Sequence, residues 1–329
     1  MEMSKPFDVV AIGECLIDFV PSAHQEQGKL NFSGCPGGAP ANVLACVSKL
    51  GLHTAFIGKV GKDAFGELLH ATLSECGIDT SSLIMSSRYP TTLAFVTLDQ
   101  NGDRAFSFYR HQTADCMITP GEIDEALLAS AKIFHFGSVS MTSEPARAAT
   151  LYAVKAAKEQ GALISYDPNL RELLWSDLSE AREVISNAMQ YCDVVKVSEE
   201  ELTFLTGIES IHDALQHLFQ QNAALKTLVV TMGDQGCKAT YGRNILTASG
   251  FRVQTLDTVG AGDTFWGAFL YRILAGLFDP DEPDETSLYD ALVFSNAAGA
   301  LSTTKSGAIP ALPALDDICH LAGQKPAEI

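Results

Sequence analysis

The sequence predicts an α/β protein, with a mostly parallel central sheet covered by helices on both faces and a small second β-sheet set apart from it. Three observations carry that expectation. Short β-branched apolar runs alternate with stretches of helical length along most of the chain, beginning with Phe7–Ile12. Gly-bearing turns at 37, 233, 260 and 307 would all fall along one edge of such a sheet. One pair of runs, 91–97 and 104–109, interrupts the alternation and is joined by Asp99-Gln100-Asn101-Gly102-Asp103, whose Asn-Gly step is a hairpin signal.

The first run ends at Gly13 and reads as a buried strand. Glu14 and Asp18 follow, the latter inside a second apolar stretch at 15–20. A carboxylate between Ile17 and Phe19 is costly to bury without partners. Asp18 is therefore either a solvent-facing residue of an alternating strand or a ligand contact that accepts from hydroxyls. Residues 28–38 are polar and Gly-rich, and read as a loop. Gly37-Gly38-Ala39-Pro40-Ala41-Asn42 then opens a helix running to Leu50. Pro40 sits near its start, where a missing N–H costs nothing, and Asn42 falls in the first turn with its amide free to bind outward. A strand at 55–60 and a helix at 67–76 come next. Past the hairpin, which ends in Phe108-Tyr109-Arg110, helices near 122–131 and 144–160 alternate with strands at 133–136 and 163–166. The second of these strands ends in Asp167-Pro168-Asn169-Leu170-Arg171, the position where open α/β sheets bind ligands.

A helix at 179–190 leads to a strand at 194–197 and then Ser198-Glu199-Glu200-Glu201, glutamates suited to the positive end of a helix. A helix at 211–220 precedes a strand at 227–231, which runs into Met232-Gly233-Asp234-Gln235-Gly236. Two or three short strands follow, then the helix that opens near Gly260, and a final helix at about 288–304. Residues 279–285 form an acidic, Pro-containing surface loop. There is no internal repeat.

The totals narrow the function. A chain of 329 residues, 47% hydrophobic, can bury about three-quarters of its unfolded surface in one or two domains. Twenty-two Lys and Arg against 40 Asp and Glu give a net charge of −18, which argues against nucleic acid or an anionic membrane as partner. It leaves room for an anionic substrate held by a local cluster of donors. The eight cysteines form no CxxC pair and lie mostly in apolar runs, as reduced thiols of a cytoplasmic protein do. Neither a signal-peptide pattern nor an apolar run of membrane-spanning length is present. The eight histidines lack HxxxH or HExxH spacing and read as structural or surface residues.

The stretch with most chemistry is Asp257-Thr258-Val259-Gly260-Ala261-Gly262-Asp263-Thr264-Phe265. Gly260 and Gly262 let a bulky anion approach the backbone where a helix begins, and the first N–H groups of a helix point outward with its positive dipole end. Asp263 beside such a hole makes sense if a carboxylate must take a proton from a hydroxyl attacking the anion. Read alone, the stretch is equally a tight turn followed by a helix N-terminal carboxylate.

Two separated stretches resemble one family. Gly37-Gly38-Ala39-Pro40-Ala41-Asn42 with Gly58-Lys59-Val60-Gly61-Lys62-Asp63-Ala64-Phe65-Gly66 resembles the N-terminal signature of the ribokinase (pfkB-type) carbohydrate kinases, and Asp257–Phe265 looks like their C-terminal signature. Within the family, Gly13-Glu14 leading to Leu16-Ile17-Asp18-Phe19-Val20-Pro21, the hairpin through Phe108-Tyr109-Arg110, and Ser198-Glu199-Glu200-Glu201 look most like fructokinases. The resemblance implies a single ribokinase-like three-layer α/β/α domain over 1–329. A small β-sheet lid would be built from segments at about 14–38 and 89–118. It also implies ATP as phosphoryl donor, Mg²⁺, and an activating K⁺. By the same resemblance Asp263 is the base, the N–H groups of Gly260, Ala261 and Gly262 form the anion hole, and Arg171 adds a donor near the transferred group. Sugar contacts would fall on Asp18, Gly37, Gly38, Asn42, Asn169 and, from the lid, Arg110. Nucleotide contacts would fall on Ser198, Thr231, Gly233, Gly236 and Asn296, with Ser198 standing where many ribokinases carry Asn. Glu201 would help hold the water shell of Mg²⁺. A K⁺ site would use Asp257 and carbonyls near Val259, Ser302, Lys305 and Gly307.

The expected reaction is transfer of the γ-phosphoryl group of ATP to O6 of fructose, under a lid that excludes water, in a cytoplasmic enzyme whose lid sheet pairs in a homodimer. A 2-keto-3-deoxygluconate kinase shares the lid and the Asp167–Arg171 turn, although Asp18 would repel that substrate's carboxylate. A non-catalytic sugar or nucleotide sensor could use the same fold, but the intact Asp263 and glycine set speaks against it. A dehydrogenase would need GxGxxG after the first strand, where Gly13-Glu14-Cys15 stands instead, and no GxxxxGK[ST] P-loop is present.

Overall fold

In the computed structural model, residues 5–21, 30–98, 104–242 and 244–326 are described. The chain opens with β1 (Phe7–Ile12), β2 (Leu16–Pro21), β3 (Phe32–Gly37), α1 (Ala39–Lys49), β4 (Thr54–Gly61), α2 (Ala64–Glu75), β5 (Ile78–Asp79) and β6 (Leu83–Ser86). The hairpin β7 (Leu93–Leu98) and β8 (Arg104–Tyr109) is followed by α3 (Glu125–Ala129), β9 (Ala131–Phe136), α4 (Ala146–Glu159), β10 (Leu163–Tyr166), α5 (Leu178–Met189) and β11 (Val194–Ser198). The chain continues with α6 (Glu199–Thr206), α7 (Ile211–Gln221), β12 (Thr227–Thr231), β13 (Cys237–Tyr241), β14 (Asn244–Ala248), α8 (Ala261–Leu274), α9 (Glu285–Ser302) and α10 (Leu315–Ala322).

The main sheet runs β14-β13-β12-β11-β10-β9-β1-β4-β5, with β6 also paired to β4. The stretch from β12 to β4 is parallel throughout, and β13 and β14 close one edge antiparallel. Both faces are buried, which is why these strands read as continuous apolar runs. Along β1, Val9 and Ala11 enter one core and Val10 and Ile12 the other. The first core packs α1, α2, α8, α9 and α10; the second packs α3 to α7. Phe134, Phe136, Trp175 and Trp266 are core residues, as their apolar settings imply. Trp266 also donates from Nε1 to Ser165 Oγ at 2.9 Å, tying α8 to the middle of the sheet.

A separate four-stranded sheet, β3-β2-β7-β8, stands at the carboxyl edge of the first. Phe19 stacks on Phe95 at 4.8 Å between ring centroids, and Phe32 and Tyr109 meet Phe95 edge-on at 5.4 and 5.3 Å. Its base is fastened by Asp63, the N-cap of α2, which accepts from Thr91 N at 2.9 Å and Thr91 Oγ1 at 2.7 Å. The hairpin turn 99–103, and residues 22–29 of the first lid segment, lie outside the described residues.

Three expectations change. Residues 32–37 (FSGCPG) are not loop but β3, held extended by full pairing with β2 despite their Gly and Pro. The helix at 285–302 is not the last, since Leu315–Ala322 forms α10, whose Ile318 and Cys319 are buried against the first core. The helix expected at 122–131 shortens to α3 behind a 3₁₀ turn at Pro120–Glu122.

Candidate active site

Two cavities open along the carboxyl edge of the parallel strands and share Thr258 and Gly262 in their walls. The first, of about 280 Å³, lies under the small sheet. Asp18, Gly38, Asn42, Asn169, Arg171 and Asp263 line it, together with Asp257, Val259, Gly260 and Gly307. The second, of about 260 Å³, is lined by Thr231, Gly233, Gly236, Asn296 and Ala261, with Phe251, Val253 and Phe265 as an apolar wall. A larger hollow of about 540 Å³ beside α7 and β14, at Gln216, Asn222 and Thr240, lies away from the carboxyl ends of the parallel strands, and among the described residues no charged side chain lines it.

The cavities meet at the start of α8. Gly260 is its N-cap, with φ of 75°. A Cβ there would come within 2.6 Å of Ala308 Cβ, so both backbone and space require glycine. Among the described residues no acceptor meets the N–H groups of Gly260 and Gly262, while Ala261 N makes a 3.3 Å bond to Thr258 O. Gly267, one helical turn beyond, lets α1 close in: a Cβ there would sit 2.7 Å from Cys46 Cβ. That close packing brings Asn42 of α1 to Asp263 of α8, with Nδ2 donating to Oδ2 at 2.8 Å.

Asp263 is 8% exposed. Burial, reinforced by the charge of Asp167, raises its pKa, against the pull of the Asn42 hydrogen bond, Lys196 and Arg171. Lys196 projects from β11 and donates to Asp167 Oδ2 at 2.6 Å, in a pair that is almost fully buried. Its Nζ lies 3.1 Å from where a Cβ on Gly262 would sit, directly under the first turn of α8. Burial works against the ammonium, but Asp167, Glu201 and Asp263 around it raise its pKa, so it stays charged. Asp18 is raised to about 6, chiefly by burial and further by Asp263, with Arg171 opposing. Its Oδ2 lies 2.5 Å from the Cβ position of Gly37, the close approach that fixes glycine there. Asn169 is held at φ 48°, turning the Asp167–Arg171 loop so that Asn169 and the exposed Arg171 both reach the first cavity.

Six residues assigned from the resemblance line neither cavity; one is Gly37, which packs against Asp18 instead. Arg110 is the clearest case. Its guanidinium is buried behind the wall, donating to Asp115 Oδ2 at 2.7 Å, Thr142 Oγ1 at 2.7 Å and Val139 O at 2.9 Å. The pair with Asp115 holds it out of the first cavity. Ser198 and Glu201 form a capping box: Ser198 Oγ accepts from Glu201 N at 3.2 Å and Glu201 Oε2 accepts from Ser198 N at 2.8 Å. Glu201 Oε1 accepts from Leu170 N at 2.6 Å, so this carboxylate also fastens the Asp167–Arg171 loop. Ser302 turns its hydroxyl back to Gly299 O at 2.8 Å, and Lys305 is exposed. Asp257 does bring its two loops together, accepting from Val259 N at 3.1 Å and Gly307 N at 3.0 Å.

Three further candidates receive no role from the sequence: Glu14 and Asp167, which lie in stretches it singles out, and Lys196, which does not. Glu14 and Lys196 line the first cavity, and Asp167 pairs with Lys196. One signal was available, since a lysine inside the apolar run of β11 has no reason to be buried without a partner.

Adjoining cavities joined at the open N-terminus of a helix, with a buried carboxylate at the junction, are the arrangement of an enzyme that passes an anionic group between two bound small molecules. Comparison with known proteins gives the family. The chain belongs to the pfkB family of carbohydrate kinases, whose pattern matches residues 7–315. It is 48% identical to fructokinase-1 of Zea mays over 318 residues, covering 95% of this chain and 97% of that one. Among solved structures it resembles a Xylella fastidiosa fructokinase with bound ATP, at TM-score 0.87 and 33% identity over 96% of this chain and 98% of that one. A Vibrio cholerae O395 fructokinase variant with fructose, ADP and potassium ion matches at TM-score 0.85 and 34% identity, covering 97% of this chain and all of the other.

Proposed function

We propose that this carbohydrate kinase transfers the γ-phosphoryl group of ATP to the 6-hydroxyl of D-fructose. The observation that carries the reading is Asp263, oriented by Asn42 at the junction of the two cavities and next to the N–H groups of Gly260 and Gly262. Fructose would occupy the first cavity, with Asp18 and Asn42 accepting from its hydroxyls; Asn42 Oδ1 is buried and has no partner among the described residues. ATP would occupy the second, its base against Phe251 and Val253 and its terminal phosphate at the start of α8. Asp263 takes the proton of the attacking hydroxyl. The N–H groups of Gly260 and Gly262, with Lys196 below and Arg171 at the rim, receive the negative charge of the phosphoryl group as it moves. The names of the plant and bacterial relatives support fructose. Glu14 and Asp18, two carboxylates in one cavity, disfavour a substrate carboxylate such as that of 2-keto-3-deoxygluconate.

No group of three or more metal-ligating side chains is assembled among the described residues. That fits Mg²⁺, which keeps most of its waters and takes one or two carboxylates plus substrate phosphates. Asp167, whose Oδ1 is buried without a partner, and Glu201 are the residues that would hold it, and the ion would offset phosphate charge. K⁺ would be held by Asp257 with main-chain oxygens of Val259, Ser302, Lys305 and Gly307. The exposed edge and aromatic face of the small sheet, where Tyr109 is 66% exposed, suit pairing with a second copy.

A panel of fructose, 2-keto-3-deoxygluconate and nucleosides with ATP, with and without Mg²⁺ and K⁺, tests the reading. Fructose-dependent ADP release is expected; turnover on the keto acid but not fructose would replace the assignment.

A further inference from the structure

Glu14 sits just past β1, 3% exposed, in the wall of the first cavity. Its two oxygens have different fates. Oε1 accepts from Ala39 N at 3.0 Å, the first N–H of α1. Oε2 is buried and meets no donor among the described residues. A carboxylate oxygen shut away from water without a donor is costly, and a ligand hydroxyl arriving at the wall that Glu14 lines would supply the missing donor.

We infer that Glu14 is a sugar-binding residue: its Oε2 accepts a hydrogen bond from a hydroxyl of the ketose other than the one presented to Asp263. The surroundings separate the two carboxylates. The charges that act on Glu14 are those of Arg110 and Asp115, whereas Asp263 answers to Asp167, Lys196 and Arg171. They therefore serve different ends of the cavity. Arg110 then has a purpose that its place behind the wall would otherwise deny it. Its guanidinium, fixed by Asp115, Thr142 and Val139, lends positive charge to Glu14 without touching the sugar. Arg110 is a positioning residue and Glu14 makes the contact. The ligand chemistry that fits is a polyol or ketose with a hydroxyl donor at that point, and not a carboxylate.

The inference rests on reading this cavity as the sugar site, and the experiment separates the two. Wild type and Glu14→Gln are compared at pH 8, where Glu14 is mostly ionised, on fructose, on its 1-, 3- and 4-deoxy analogues and on 2,5-anhydro-D-mannitol, the analogue deoxy at the anomeric carbon, with ATP in excess. The glutamine keeps an oxygen for Ala39 N and replaces the free acceptor by a donor. Glu14→Gln is expected to raise KM for fructose about 10- to 100-fold, the range for a hydrogen bond to a charged group, while KM for ATP stays within about twofold. One deoxy analogue should lose a comparable factor with wild type and less than about threefold with Glu14→Gln, because its missing hydroxyl and the missing acceptor are the same bond. An unchanged KM for fructose, or deoxy penalties equal in both proteins, overturns the inference alone. A wild type inert toward fructose overturns the substrate reading and this inference with it. Should Glu14→Gln fail to fold, Glu14→Asp, which withdraws the carboxylate by one methylene, is judged by the same comparison.

Discussion

At the scale of single residues the proposed chemistry turns on Asp263, and its surroundings predict how it responds to change. Asp263→Asn keeps the shape and removes the proposed base. It should lower kcat by about 10²- to 10⁴-fold, the usual range for a positioned general base, with a smaller effect on KM for the sugar. Near-normal turnover in that variant would mean that another group takes the proton. The carboxylate must be ionised to act, and burial with Asp167 nearby raises its pKa. Activity should therefore fall on the acid side at a pH above the ordinary aspartate range. Asn42 opposes the rise by donating to Oδ2. Asn42→Ala should move the acid limb of kcat/KM further toward neutrality, and a limb that stays put or moves lower would deny Asn42 that part. Much of this site was legible in the sequence because glycine and aspartate report backbone approach and charge directly. Lys196 and Arg110 were not. Their reach is set by where long side chains end, and that depends on partners, Asp167 and Asp115, which the sequence does not pair with them.

At the scale of elements, the first turn of α8 separates folding from chemistry. Gly260 has positive φ and no room for a Cβ, whereas Gly262 is helical and a Cβ there would meet the end of one side chain, Lys196, with Nζ at 3.1 Å and Cε at 3.8 Å. Gly260→Ala should cost at least the roughly 1–2 kcal/mol of a left-handed alanine, and more for the clash with Ala308, with a lower Tm as well as lost activity. Gly262→Ala should leave Tm within about 2 °C, since it adds little strain, while lowering kcat. Paired melting curves and kinetics read both, and a Gly262→Ala that melts as early as Gly260→Ala would contradict the distinction. Elements also show why the sequence reading succeeded where it did. Both-face burial leaves continuous apolar runs, so the strands that became β1, β10 and β12 carry the bounds their patterns indicate. The strand β3 lacks any such mark, because its extended form comes from pairing with β2 and not from Phe32-Ser33-Gly34-Cys35-Pro36-Gly37 itself.

At the scale of the whole molecule, the cleft gathers charge that the fold must carry. Glu14 is raised to about 7 and Asp18 to about 6, both chiefly by burial. A carboxyl whose folded pKa lies above its unfolded one binds a proton more tightly when folded. Its stabilising contribution is complete below the unfolded pKa and is lost as pH rises through the folded pKa. For Glu14 that window runs from 4.5 to about 7, and for Asp18 from 3.8 to about 6. The unliganded protein should therefore lose stability across this range, on top of the self-repulsion expected of a chain with net charge −18. The double variant Glu14→Gln, Asp18→Asn removes both titrations. Its Tm relative to wild type should climb from pH 4.5 to pH 7.5 at fixed ionic strength. Replacing two exposed carboxylates, Glu67→Gln with Glu200→Gln, changes net charge equally and should give a much flatter difference. If the cleft and surface pairs respond alike, the loss is general repulsion. If only the cleft pair responds, the acidic first cavity is held ready at a cost to the fold.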